Sequence, residues 1–142
     1  MSGVATDCVA DLITKLKTVT AFGDKVLPVL SEEDLTSQAK LLKNVAVGVF
    51  YEGMTPADGK QVGGMAATLA CTVAVLLPLG GVGNADYKGL AAEYLDAMRA
   101  AVRLTTSPTG HRWVFALERP AGQVGSWYAY VQRWTTVAIL TN

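Results

Sequence analysis

The sequence predicts an α+β domain, with two helices packed on one face of a mainly antiparallel sheet of four to five strands. Three observations carry that reading. Val4–Val19 and Asp86–Arg103 each hold one apolar stripe at helical spacing. Two central segments alternate bulky apolar with small residues, so each has one bulky face. The order along the chain is helix, short strand, strand, strand, helix, strand, strand. At 142 residues the chain is expected to form a single domain, 1–142, long enough to bury a real core.

The first helix places Cys8, Val9, Leu12, Ile13 and Leu16 together and pairs Asp11 with Lys15 on its polar side. "TAFGD" ends it, with Gly23 suited to the left-handed residue after a helix. "KVLPVL" reads as a short strand that Pro28 confines to a sheet edge. "SEEDLTSQAKLLK" carries Ser31 and Asp34 in a weak capping box and fits a short helix or an ordered loop. In Asn44–Glu52, Val45, Val47, Val49 and Tyr51 oppose Ala46, Gly48 and Phe50. In Thr68–Leu77, Leu69, Cys71, Val73, Val75 and Leu77 oppose Ala70, Thr72 and Ala74. The second helix aligns Leu90, Tyr94, Leu95, Met98 and Val102, and "TTSPTGH" stops it. "RWVFALER" and "SWYAYVQRWTTVAIL" close the chain as two strands, with "PAGQVG" as their hairpin loop.

Composition limits the function. Half the residues are hydrophobic and only 17% are charged, more apolar than a small monomer needs, and burial in an oligomer is one explanation for the excess. Twelve basic residues balance twelve acidic ones. Nothing resembles the basic stripe that nucleic acid requires, and near-zero charge permits self-association. "MSGVATDCVADLITKLK" does not read as a signal peptide, and no stretch approaches the roughly 20 apolar residues of a membrane span. Cys8 and Cys71, far apart in periodic apolar segments, read as reduced core thiols of a cytosolic protein.

The residues that could carry chemistry point away from an enzyme. "LLPLGGVGNADYKG" has a glycine-rich turn before a helix, but Asp86 stands where the third glycine of a dinucleotide fingerprint belongs, and no phosphate-loop lysine follows. Asn84 reads instead as a helix cap and Asp86 as a partner of the helix dipole. One histidine, His111, and two separated cysteines make no convincing zinc set. Glu32, Glu33 and Asp34 read as a solvated run. No cofactor, no metal and no catalytic group is expected.

Partner surfaces are better supported. Alternation in the last strand puts Tyr128, Tyr130 and Trp134 opposite Trp127, Val131 and Val137, so one aromatic set needs a cover beyond the core. Asp96, Arg99 and Arg103 line one side of the second helix, a charge row suited to fixing register between copies. The small-residue face of Ala46, Gly48, Ala70, Thr72 and Ala74 invites close approach of another backbone. Finally, "GMTPADGKQVGG" spends twelve residues between two strand-like runs, where about two to five would suffice.

"VGVFYEG", the "YLDAMRAAV" helix and "GHRW" leading into a strand, in this element order, resemble the phage tail terminator family, in particular the Gp37-like proteins of contractile-tailed phages and prophages. The resemblance covers about Asp7 to Ile139. It implies a non-enzymatic virion protein, assembled in the host cytoplasm and resident in the tail-neck region. Such proteins form hexameric rings that cap the head-proximal end of the tail tube, halt its polymerisation and offer a surface for the head-side connector, with the sheath as a further partner. On this reading Met54, Thr55, Pro56, Asp58, Lys60 and Gln61 form a partner-binding loop toward the tube. Asp96, Arg99, Arg103, Tyr128, Tyr130 and Trp134 then serve the subunit interface of the ring. The alternatives are a neck, tail completion or tube-like protein of the same assembly, or a small ligand-binding accessory domain.

Overall fold

A computed structural model describes residues 3–39, 45–56, 65–78, 87–124 and 126–140. The elements are α1 (Val4–Leu16), β1 (Val26–Pro28), α2 (Glu32–Ala39), β2 (Ala46–Pro56), β3 (Met65–Pro78), α3 (Tyr87–Val102), β4 (Val114–Val124) and β5 (Trp127–Leu140). One five-stranded sheet has the order β1-β2-β3-β5-β4. All its pairings are antiparallel except β1 with β2. The α+β class expected from the sequence is the one observed.

The bulky strand face lies under α1 and α3. Cys8, Leu12 and Leu16 of α1 meet Val47, Val49, Val73 and Val75 of the sheet and Met98 and Val102 of α3 in one buried cluster. Burying each leucine stabilises the fold by roughly 1.5–3 kcal/mol. Phe22, in the turn after α1, packs edge-on against Tyr94 with ring centroids 5.3 Å apart. The α3 stripe is rotated slightly from expectation: Ala91 is buried and Leu90 is 40% exposed. The helix ends through Leu104, whose φ of 63° is left-handed, before the turn that Pro108 and Gly110 occupy.

The small-residue face receives α2, which settles the choice between helix and loop. Leu35 of α2 and Val29 pack with Ala46, Ala74, Leu76, Trp127 and Val131. A Cβ on Gly48 would stand 2.7 Å from a Val29 methyl and 3.0 Å from Leu35. The close approach foreseen for this face is therefore made, at least here, by the chain's own α2 segment.

Three loop assignments are corrected. Met54, Thr55 and Pro56 belong to β2 and pair with Leu69, Thr68 and Ala67. A bulge between Tyr51 and Gly53 masks this extension in the sequence, because it shifts the alternation by one residue. Gly53 takes φ 134° there, which a side chain would disfavour. The hairpin loop assigned to "PAGQVG" is also strand as far as Val124, with Gly122 at φ 94° where the register shifts after Pro120. The third correction is that β3 begins at Met65, three residues before the expected start.

Candidate functional site

The extended ends of β2 and β3 form a hollow on the small-residue face beyond α2. It holds about 330 Å³ and is lined by Glu52, Gly53, Met54, Thr55, Thr68, Ala70, Arg133 and Thr135. The bulge frees Glu52 from strict alternation, and its carboxylate accepts the Thr72 hydroxyl and pairs with Arg133 Nη2 at 3.0 Å. Arg133 Nε is buried and has no acceptor among the described residues. Met54 also packs back onto the helix-side core. So two of the expected partner-loop residues, Met54 and Thr55, are paired into the sheet beside a charged pair. Asp58, Lys60 and Gln61 lie outside the described residues, as do Asn84, Asp86 and the glycine-rich turn before them.

The expected interface residues divide into four groups. Arg99 is anchored within the chain, pairing with Asp96 and with Glu118 of β4. Glu118 also accepts Gln132 Nε2 at 2.7 Å, and the same Nε2 donates to the Leu95 carbonyl at 3.0 Å. Gln132 Oε1 accepts the Trp134 indole N–H at 3.2 Å. Arg103 is exposed one turn beyond this network. Tyr128 and Tyr130 are half-buried, with ring centroids 5.2 Å apart.

Trp134 is the correction. Only 1% exposed, it belongs to the core under the helices and presents nothing to a neighbour. β5 lies between β3 and β4, so the face carrying Trp134 is roofed by α3 rather than left at a margin. The opposite aromatic, Trp127, is 9% exposed and is covered from the α2 side. Sequence reasoning missed Glu52, Glu118, Gln132 and Arg133. A polar side chain at an inward position of an otherwise apolar strand, as Gln132 is, was the available signal.

The cysteines are free and buried, as expected. Burial, then the Asp11 and Asp7 carboxylates, push the Cys8 thiol up to about 11 against a partial offset from Lys15. Burial, Cys8 and Glu52 push Cys71 up to about 12. His111 sits in the turn before β4, where its backbone carbonyl accepts Ser107 N–H at 2.7 Å. Among the described residues no group of three or more His, Cys, Asp or Glu could hold a metal ion. No described helix is long and apolar enough to cross a membrane.

Against known proteins, the backbone is similar to a chain from the virion of a native gene transfer agent particle. The TM-score is 0.59 at 15% identity, covering 98% of this chain and 99% of that one. The likeness shows the fold. The chain matches no family model and no curated protein.

Proposed function

We propose that this chain is a structural, non-enzymatic subunit of a phage-like virion and acts as its tail terminator. It forms a hexameric ring on the head-proximal end of the tail tube, stops tube growth and presents a surface to the head-side connector. The observation that supports this reading best is the end-to-end fold likeness to a chain of a gene transfer agent virion. A sheet hairpin extending past α2, with Met54, Thr55 and Pro56 at its described end, suits a projecting contact to the tube. Asp58, Lys60 and Gln61 continue that contact in the sequence. Asp96, Arg99, Arg103, Tyr128 and Tyr130 serve the contact between copies.

The test is removal of this chain from the particle that encodes it, with tails and heads viewed by negative stain. Tubes of unregulated length beside unjoined heads are expected. Tails of normal length joined to heads overturn the proposal. Normal-length tails that fail to join heads favour the neck or completion role instead. Shortening residues 57–63 should preserve folding and self-association while losing control of tube length.

A further inference from the structure

The buried stripe of α3, with Leu95, Met98 and Val102, faces the sheet. On the opposite side Glu93, Asp96, Ala100 and Arg103 form a second stripe, spaced three and four residues apart and all exposed. Arg103 stands just past the last helical residue but keeps the turn, its N–H donating to the Arg99 carbonyl at 2.8 Å. Asp96 pairs with Arg99. Glu93 and Arg103 have no side-chain partner among the described residues. Within one turn of helix the only charge beside Glu93 is Asp96, and the only charge beside Arg103 is Arg99. Each therefore sits next to its own sign, an arrangement that weakens an isolated helix. The helix dipole does not account for the acids, since its pull fades within the first turn, residues 87–90.

We propose that the missing partners come from α3 of a second copy, packed antiparallel about a two-fold axis level with Met98. That register sets Glu93 against Arg103 of the partner subunit and Arg103 against Glu93 of the partner subunit. Parallel packing would set like charges together, so the charges fix the direction. Two exposed small residues, Ala92 and Ala100, allow the axes to approach to about 8 Å. A contact along one helix of 16 residues is small beside the roughly 1,200 Å² of a lasting interface, so the pair is weak and separable. It is also isologous and closes at two copies, whereas a ring needs a head-to-tail contact. Asp96 and Arg103 belong to both surfaces, so the pair is a form of the free subunit that must separate before a ring closes. That consequence rests on the terminator reading; the pair itself does not.

Charge reversal on the isolated protein tests the contact. Sedimentation velocity of the wild type at low salt should show mass rising with concentration toward twice the 15.0 kDa of one chain. The association should fade in about 1 M salt, where the Debye length is about 3 Å. Glu93→Arg and Arg103→Glu each place like charges together twice in the symmetric pair. Each alone should weaken association about tenfold or more, with an unchanged circular dichroism spectrum. Mixed, the two variants should pair as the wild type does, because every facing couple is again opposite in sign. The double variant E93R/R103E should likewise pair with itself. A wild type that stays monomeric up to millimolar concentration overturns the pair, as do single variants that associate like the wild type. A mixture that stays monomeric overturns the antiparallel register. Closed six-chain rings with no two-chain species overturn the pair while supporting the ring, and tail length in the deletion experiment judges the terminator role separately.

Discussion

The Trp113 indole N–H donates to the Asp11 carboxylate at 2.9 Å, joining the lead-in to β4 to a helix 102 residues earlier. Lys15 completes the clamp, pairing with Asp11 and donating to the Thr106 carbonyl at 2.8 Å. Trp113→Phe keeps most of the buried ring and deletes only the donor. Hydrogen bonds to charged groups contribute roughly 1.5–3 kcal/mol, and a loss in that range is expected in urea unfolding. An unchanged midpoint would show that Lys15 alone suffices.

Gln132 is fully buried and serves three groups at once, the Leu95 carbonyl, Glu118 and the Trp134 N–H. Gln132→Leu fills the space but leaves the Trp134 donor buried without an acceptor. The penalty for such an orphaned group is about 1–3 kcal/mol. Gln132→Leu combined with Trp134→Phe removes donor and acceptor together and should recover part of that loss. Equal stability of the single and double variants would place the cost in Glu118 and Leu95 instead.

Gly48 lies directly beneath Val29 and Leu35. A valine there gains strand propensity but forces the α2 segment outward, and overpacking of this kind costs about 1–3 kcal/mol. Gly48→Val should therefore lower the unfolding midpoint and accelerate hydrogen exchange in α2 before it does so in β3. Uniform acceleration across both elements would mean that α2 is not separately anchored.

What could be read from the sequence follows from how regular each element is. The faces of β2 and β3 were legible as far as Glu52 and from Thr68 because strict alternation reports burial directly. Beyond Tyr51 the bulge moves the pattern by one residue, and Met54–Pro56 then look like loop. Trp134 was misplaced for a different reason. Alternation shows which residues share a face but not which face a helix covers, and both faces of this sheet are covered. The charged pair of Glu52 and Arg133 joins residues on strands that are not adjacent, so no local spacing could have revealed it.

The buried thiols carry a sign that can be checked. Their folded-state values are raised, to about 11 for Cys8 and about 12 for Cys71, from an ordinary 9.0. The unfolded chain therefore releases these protons at lower pH than the folded one. Stability contributed by the protonated thiols is complete below pH 9.0, falls as pH rises, and is lost by about 11 and about 12 respectively. Urea midpoints of the wild type should decline across that window, and those of a Cys8→Ala, Cys71→Ala variant should decline less steeply. At pH 8 a thiol reagent should label the native protein slowly and the urea-unfolded protein fast, since only the thiolate reacts. Rapid labelling of the native state at that pH would mean that α1 opens from the sheet often enough to expose Cys8.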